Sequence, residues 1–381
     1  MTINSIDRGV QITGTSTGTL CNVNITSGSM HGLNLSNSSS ATVSGGTITT
    51  TSADGYGVAV SAQSGIMLRD VTVNSDYRGV NISGTSTGTL NNINIITTNT
   101  SGYGVQVIHS STATISDIKI ATNNNSAYGV MVRAEAVAEV NNPDIKTDGY
   151  ISNGVYVQDL ATLTVNGGTI ATTGVRSHGA GMNYEPGNML TLNGVRITTT
   201  GSLASGIDMS SRSTLSGTNT VFVNGGTIQA ALGNGISVNE DFFPFLPSGN
   251  YPLESDYGGV IENNLVITGG AVITGANALY IGSVITVRDA EGNLVRDDIG
   301  GTSNLTVADG SSLLGDVIIK DSVAVTVDLN DSAIIGDLTV SDAATVSITG
   351  SDGATINGNL TGNDDSAIGL TLSGSDTTLT G

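Results

Sequence analysis

The stretch Arg8-Gly-Val-Gln-Ile-Thr-Gly-Thr-Ser-Thr-Gly-Thr-Leu20 decides the fold, because it returns almost unchanged at Arg78-Gly-Val-Asn-Ile-Ser-Gly-Thr-Ser-Thr-Gly-Thr-Leu90. The two copies agree at 11 of 13 positions. The offset between Arg8 and Arg78 is too long for one supersecondary unit. It fits three units of about 22–25 residues each, a period that is typical of solenoid repeats.

Each unit is marked by a glycine that is followed by an apolar residue, with a second apolar residue two positions later. This alternation predicts a short strand with one buried face. Successive marker glycines are separated by roughly 22 to 29 residues, within the range of solenoid periods. The marker glycines are Gly9, Gly32, Gly57, Gly79, Gly104, Gly129, Gly154, Gly179, Gly206 and Gly235.

Two aliphatic columns follow the marker in every unit and predict two more strands. The first column begins at Leu20 and the second at Ile25, and all 18 members over nine units are aliphatic. In eight of nine units a small hydroxyl residue stands two positions after the second column, where the strand should turn. We expect these hydroxyls to bond neighbouring backbone groups. The hydroxyl column consists of Ser27, Thr50, Ser75, Thr97, Thr122, Thr147, Thr172 and Thr199.

Three short strands per unit, none of which can bury its apolar face alone, predict an all-β, right-handed parallel β-helix with rungs of about 22–25 residues. The right hand follows from the general preference of parallel crossovers. An antiparallel β-sandwich or a tandem of small β domains would need hairpin turns between successive strands. It would not keep one aliphatic register across nine units. A leucine-rich repeat is disfavoured because no helical periodicity is present.

The regular pattern changes after residue 239. Residues 1–239 predict regular rungs. Residues 240–257 predict an inserted loop, because they contain three of the four Phe and three of the five Pro of the chain. Proline cannot donate to a central ladder, so this loop should leave the coil. Residues 258–301 predict irregular rungs with a small hairpin that turns at Glu291-Gly-Asn293. Residues 302–381 predict a continuing acidic β-helix with shorter rungs.

The formal net charge is −20 at pH 7 and is concentrated toward the C-terminus. Residues 1–239 contain 12 acidic and 9 basic residues, whereas residues 240–381 contain 20 and 3. This balance argues against nucleic acid as a partner and against contact of this segment with an anionic membrane surface. Cys21 is the only cysteine, so no intrachain disulfide forms, and we expect an unreactive thiol.

Both ends of the sequence lie within repeat-like sequence, and no signal peptide or membrane helix is visible. We therefore expect a segment of a longer protein, with its targeting and anchoring parts elsewhere.

The residues predict no catalytic group, no cofactor and no metal site. His31, His109 and His178 are the only histidines, and they lie in different units without metal-ligand spacing. Glycoside cleavage needs two carboxylates across one site, and the acidic residues of the first nine units share no column. Serine is too abundant for its number to decide for or against a Ser/His/Asp triad.

The candidate partner-contact residues are the aromatic residues of the 240–257 loop, because an exposed aromatic cluster can dock a partner. The alternative is that its phenylalanines fold back over the core where the rungs change size. The candidates are Phe242, Phe243, Phe245 and Tyr251.

The Gly-Val-x-Val rungs, the near-absence of cysteine and the later Gly-Asp-Leu-x-Val rungs, as at Gly336–Val340, resemble the passenger region of pertactin-like autotransporters of Gram-negative bacteria. The resemblance is one of architecture and composition, and it covers nearly the whole chain. Some adhesive members carry Arg-Gly-Asp, but Arg-Gly-Val stands at Arg8 and Arg78 here, so no functional residue can be transferred.

The resemblance implies secretion and display from the bacterial outer membrane. It also implies a non-catalytic adhesin whose partner is a host surface receptor or glycan, or another copy of the chain, in autoaggregation or biofilm formation. Two alternatives stay open: a carbohydrate-binding or polysaccharide-degrading β-helix enzyme, and a structural stalk. Two carboxylates within about 10 Å in a groove would favour the enzyme. Salt-sensitive dimers would favour polar self-association, and a monomeric rod would favour the stalk.

Overall fold

A computed structural model describes residues 1–183, 185–210, 215–239, 261–282, 302–321, 323–363 and 365–381, with the backbone of 286–288 and 294–297. The regular elements in these ranges are β-strands. No helix in them is long and apolar enough to cross a membrane. The candidate residues Phe242, Phe243, Phe245 and Tyr251 lie outside the described residues.

The chain forms two compact units. Unit 1 is Met1–Ala180 with Val195–Ala204, and unit 2 is Gly181–Gly194 with Ser205–Gly381. In each unit the described strands form three parallel sheets, and each strand pairs with its equivalent in the next rung. Each unit is therefore a parallel β-helix, which confirms the predicted fold class.

The sheets of unit 1 are named A1, B1 and C1, and the chain visits them in repeating order. Sheet A1 contains β1 (Thr2–Ser5), β4 (Asn24–Ser27), β7 (Thr47–Thr50), β10 (Thr72–Ser75), β13 (Asn94–Thr97), β16 (Lys119–Thr122), β19 (Asp144–Thr147), β22 (Thr169–Thr172) and β25 (Arg196–Thr199). Sheet B1 contains β2 (Val10–Thr13), β5 (Leu33–Ser36), β8 (Tyr56–Val60), β11 (Arg78–Ile82), β14 (Val105–Ile108), β17 (Val130–Arg133) and β20 (Val155–Gln158). Sheet C1 contains β3 (Thr17–Cys21), β6 (Ser40–Ser44), β9 (Gly65–Arg69), β12 (Thr87–Asn91), β15 (Thr112–Ser116), β18 (Val137–Asn141) and β21 (Thr162–Asn166).

Unit 2 has the corresponding sheets A2, B2 and C2, with β23 beginning one residue before the unit. Sheet B2 contains β23 (Ala180–Asn183), β26 (Ile207–Ser210), β29 (Ile236–Val238), β32 (Leu279–Ile281), β37 (Val317–Ile319), β40 (Leu338–Val340) and β43 (Leu360–Gly362). Sheet C2 contains β24 (Met189–Asn193), β27 (Gly217–Asn224), β30 (Ile261–Thr268), β35 (Thr302–Val307), β38 (Ala324–Asn330), β41 (Thr345–Ser351) and β44 (Ala367–Leu372). Sheet A2 contains β28 (Thr227–Ala230), β31 (Val272–Thr274), β36 (Ser312–Leu314), β39 (Ala333–Ile335), β42 (Thr355–Asn357) and β45 (Thr378–Thr380).

Two features of unit 2 bear on the predicted segments. β33 (Thr286–Arg288) and β34 (Leu294–Asp297) form an antiparallel pair. Later rungs are short, since Leu313 pairs with Ile334 and Ile334 with Ile356. These steps of about 21 or 22 residues lie at the lower end of solenoid periods. The segment boundaries at 239, 257 and 301 remain predictions.

The marker glycines are required by packing. A Cβ on Gly104 would lie 2.4 Å from Cγ2 of Ile120 and 2.6 Å from the carbonyl oxygen of Gly129. The same two collisions, with the aliphatic residue of sheet A1 and with the next marker glycine, recur in other rungs. The inward isoleucine column and the glycine column therefore depend on each other. The other glycines of unit 1 with this geometry are Gly9, Gly32, Gly57, Gly79, Gly129 and Gly154.

The predicted hydroxyl column is confirmed. All eight side chains are at most 3% exposed, and each donates to a backbone carbonyl oxygen. Thr122 donates to Ala127 over 2.6 Å, and Thr199 to Ala204 over 2.8 Å. A carbonyl group of a turn is thereby satisfied without a bulky side chain.

Two serines of unit 2 give a paired test of a different hydroxyl position, directly before the sheet A2 strands. Ser311 Oγ accepts a hydrogen bond from the Ala271 amide over 3.1 Å, whereas Ser332 Oγ, one rung on, is buried without a partner. We expect Ser311→Ala to lower the free energy of unfolding by about 1 kcal/mol, since the amide then keeps only a 3.3 Å bond to Thr268. Ser332→Ala should be neutral or stabilising, as Ala354 occupies this position in the next rung. Urea unfolding of both variants checks this, and equal losses would contradict it.

Candidate binding surface

A continuous row of aromatic and arginine side chains runs along one edge of sheet B1. It occupies mainly the position before each marker glycine, where the register pairs Arg78 with Tyr56. Because each glycine lies against the core, the preceding residue remains at the surface, and these tyrosines are mostly half-buried. We call this row the Tyr–Arg ladder; its members are His31, Tyr56, Tyr77, Arg78, Tyr103, Tyr128 and Tyr156.

The rings of the ladder are stacked. The centroids of His31 and Tyr56 are 4.8 Å apart with planes 4° from parallel, and Tyr56 lies 5.9 Å from Tyr77. Farther along, Tyr103 is 5.1 Å from Tyr128, with the planes at 11°. These separations follow from the parallel-strand spacing of about 4.8 Å, which brings equivalent residues of adjacent rungs into contact.

Arg78 joins the two aromatic groups. Its Cζ lies 4.6 Å from the ring centroid of Tyr77, 4.8 Å from that of Tyr103 and 5.5 Å from that of Tyr56. Cation–π contacts of this kind attract the guanidinium group to the rings. Nη1 donates to Gln106 Oε1 over 2.8 Å and to the Tyr56 hydroxyl over 3.4 Å.

The ladder borders a polar floor made by the outward side chains of the sheet B1 strands. Asn81, Gln106 and Met131 are 3–6% exposed, although they point away from the core. Asn81 Oδ1 is buried without a hydrogen-bond donor. On the ladder side, burial raises the pKa of the Tyr103 phenol, so its hydroxyl stays protonated and can donate a hydrogen bond at neutral pH.

Aromatic residues in this part of the chain are concentrated on this surface. Residues 1–180 contain six tyrosines, no Phe and no Trp, and five of these tyrosines belong to the ladder. Tyr, Arg and Met are enriched in protein interfaces, and large aromatic residues supply most of their binding energy. The ladder, with five tyrosines and Arg78, has this composition.

His31 gives the ladder a pH dependence. Its Nδ1 accepts a hydrogen bond from the Tyr56 amide over 3.1 Å, which requires the neutral imidazole. Burial and then the Arg8 charge lower the pKa of His31 from 6.5. The unfolded chain therefore takes up a proton at a higher pH than the folded chain does. The neutral His31 therefore contributes its full share to the free energy of unfolding above pH 6.5. This contribution is lost progressively as the pH falls from 6.5 toward the lower pKa of the folded state.

We expect His31→Phe, which keeps a ring for stacking on Tyr56, to remove this loss of stability. The melting temperature of both proteins, followed by circular dichroism through this pH range, is the measurement. An equal decline in the variant would place the titrating group elsewhere.

The other residues considered from sequence lie apart from one another. His178 is buried, and its amide donates to Asn153 Oδ1 over 2.9 Å. His109 is exposed in a turn with a φ of 57°. Cys21 is an exposed free thiol. No group of three His, Cys, Asp or Glu suited to a metal was found among the described residues.

A second candidate is a cleft between sheets C1 and A1, with a volume of about 280 Å³. Asp70, Asn92 and Asp117 form one lip and occupy the same left-handed turn position in successive rungs. The expectation that the acidic residues share no column is therefore wrong for Asp70 and Asp117. Their column also contains Asn and Gly, because these residue types tolerate a positive φ. The column is therefore not recognisable as acidic from the sequence.

The two carboxylates of the cleft are two rungs apart, which is roughly 10 Å. Asp70 Oδ1 accepts from Asn92 Nδ2 over 2.6 Å, and Asp117 Oδ1 accepts from Asn142 Nδ2 over 2.9 Å. Inverting glycosidases hold their carboxyl groups about 6.5–9.5 Å apart, slightly closer than this pair. The cleft thus has the rough spacing for such chemistry, but each carboxylate also serves a ladder of Asx side chains.

Sequence reasoning missed the Tyr–Arg ladder, although a signal was present. The signal is the residue type that directly precedes the marker glycine. In six successive rungs this residue is Arg8, His31, Tyr56, Arg78, Tyr103 and Tyr128.

The comparisons with known proteins concern the fold. The family model described as "Right handed beta helix region" matches residues 8–170, which include the whole ladder, and it confirms the right-handed coil. A search of curated proteins gives no match. Among solved structures, the chain is similar to the Bordetella protein Vag8 in the structure of the Vag8–C1 inhibitor complex. The identity is 15% and the TM-score 0.49, with 97% of this chain and 100% of that chain covered. The chain is thus a right-handed parallel β-helix.

Proposed function

We propose that the chain is the passenger region of a pertactin-like autotransporter and acts at the bacterial cell surface as a non-catalytic adhesin. Its roles would be host-surface adhesion, self-association in autoaggregation and biofilm formation, or both. The observation that carries the proposal is the Tyr–Arg ladder, because it gathers interface-type side chains on one face of a solenoid. Stacked repeats offer long surfaces of this kind for binding.

The sequence adds two supports. The single cysteine suits secretion as an unfolded chain, since no disulfide has to form first. The segment 240–257 supplies a second proposed contact through Phe242, Phe243, Phe245 and Tyr251, because aromatic side chains are enriched in protein interfaces.

The test is to display the chain on a non-adherent bacterium and measure autoaggregation and binding to cultured host cells. We expect at least one of the two to rise above that of the bacterium without the chain. A second strain without residues 240–257 measures the contribution of the loop. If the complete chain is displayed and folded but changes neither behaviour, the adhesin proposal is wrong.

A specific observation favours one other candidate function, polysaccharide cleavage at the cleft lined by Asp70 and Asp117. Its test is the release of reducing ends from a set of plant, bacterial and host polysaccharides. Release that disappears in Asp70→Asn and in Asp117→Asn would support the enzyme. Release that is unchanged in both variants would place it outside the cleft.

A further inference from the structure

We infer that the centre of the Tyr–Arg ladder, around Arg78, binds a saccharide that carries a carboxylate group. This inference rests on the proposed adhesin function and names the chemistry of its partner. A terminal sialic acid on a host glycan has this chemistry, with one carboxylate and several hydroxyl groups.

The first support is the free hydrogen-bonding capacity of Arg78. The rings of Tyr77 and Tyr103 lie 4.6 Å and 4.8 Å from its Cζ and hold the guanidinium group in place. Of the five donors of a guanidinium, the described partners engage Nη1 alone. Nε is buried without a partner. A buried Nε is out of reach of a ligand, so Nη2 is the group left to donate a charge-assisted hydrogen bond to a carboxylate.

The second support is the uncompensated charge. The ion pairs of the described residues are Arg133 with Asp159, Lys146 with Asp144, and Lys320 with Asp321. Arg78 is in none of them, although the chain as a whole is strongly acidic. Charges farther away than about 8 Å are largely screened at physiological ionic strength, so the local cation decides the attraction of a small anion.

The third support is the polar surrounding of Arg78. The Tyr56 hydroxyl, which accepts from Arg78 Nη1, lies beside it, whereas the amides of Gln106 and Asn81 are buried. The hydroxyl of Tyr103 supplies a further donor. Sugar hydroxyl groups both donate and accept, so they match this mixture of donors and acceptors better than the side chains of an acidic peptide do. The mixture favours a saccharide over a peptide.

The geometry also favours an elongated ligand. Ladder members of successive rungs are spaced by about 4.8 Å, which is close to the length of one pyranose residue in an extended chain. Their ring faces are occupied by each other, so the ladder presents ring edges and hydroxyl groups. A saccharide would therefore be held by hydrogen bonds and the Arg78 charge, with little stacking of sugar on ring.

The experiment titrates the purified full chain with 3′-sialyllactose and, as the neutral match, with lactose, by ligand-observed NMR and calorimetry. We expect sialyllactose to bind about tenfold or more tightly than lactose, because only sialyllactose can accept a charge-assisted hydrogen bond from Arg78. Equal affinities for the two sugars, or no binding of sialyllactose, would overturn the inference.

Variants locate the site. Arg78→Gln should weaken sialyllactose binding about tenfold or more, and Tyr103→Phe, which keeps the ring and removes one hydroxyl, about threefold. Arg69→Gln, an exposed arginine on β9 away from the ladder, should leave the affinity unchanged. Near-ultraviolet circular dichroism checks that the tyrosine stack persists. If Arg78→Gln and Tyr103→Phe both bind as the natural chain does, the site is not the ladder.

Sialidase treatment of host cells separates the two proposals. If cells bind the displayed chain equally before and after treatment, and the purified chain does not bind sialyllactose, the adhesin proposal stands and the saccharide inference fails. If the chain binds no cells and causes no aggregation, the proposed function itself fails.

Discussion

Replacing Ile120 with alanine is expected to lower the free energy of unfolding of unit 1 by about 2–5 kcal/mol. Ile120 is 1% exposed and lies in the inward column of sheet A1, paired with Ile95 and Ile145 on either side. Its neighbours belong to the coils above and below, so the backbone cannot collapse to fill the space that is left. The cost therefore includes a cavity as well as lost burial.

The matched control for this substitution is Ile96→Ala. Ile96 is also an isoleucine of sheet A1, but it faces outward and is only partly buried. We expect it to lose less than about 1 kcal/mol, since much of its surface is already in water. Urea unfolding followed by far-ultraviolet circular dichroism gives both values, and similar losses would contradict the assigned inward and outward faces.

Replacing Gly104 with alanine is expected to cost about 2–3 kcal/mol, which is large for the addition of one methyl group. The new Cβ meets Cγ2 of Ile120 at 2.4 Å and the backbone oxygen of Gly129 at 2.6 Å, so two rungs must move apart. The control is Gly65→Ala, whose Cβ would meet only Thr87 Oγ1, at 3.3 Å. It should change stability by less than about 0.5 kcal/mol.

The two substitutions should not be additive. In a chain that already has Ile120→Ala, Gly104→Ala loses its clash with the isoleucine and keeps only the one with the carbonyl group of Gly129. We therefore expect the double variant to be more stable than the sum of the single losses, by about 1 kcal/mol. Additive losses would show that only the contact with the Gly129 carbonyl oxygen, and not the one with Ile120, requires glycine at position 104.

The sequence predicted the interior of this protein well because the interior is periodic. The isoleucine column and the marker glycines repeat with the rung, and the hydroxyl column ends each sheet A1 strand at a fixed distance. All three constrain backbone positions that recur in every coil. Any one rung, such as the one between Gly104 and Gly129, therefore predicts its neighbours.

The outer surface was predicted less well because stacking does not dictate its residue types. The position of Tyr103 is Arg78 one rung earlier and Asn153 two rungs later, and all three are compatible with the same coil. Only the parallel register shows that Tyr103, Tyr128 and Arg78 touch. The cleft was concealed differently, since Asp70 and Asp117 share a column with asparagines that have the same positive φ.

The most direct test of the adhesive face is the binding of beads coated with the chain to cultured host cells, compared between two double variants. One carries Tyr103→Ala and Tyr128→Ala in the ladder, and the other carries Thr89→Ala and Thr114→Ala on the exposed face of sheet C1. Circular dichroism first checks that both variants are folded. We expect the affinity of the ladder variant to fall about tenfold or more, which corresponds to about 1.4 kcal/mol. The sheet C1 variant should bind as the natural chain does. Undiminished binding of the folded ladder variant would contradict the assignment of the Tyr–Arg ladder as the adhesive surface.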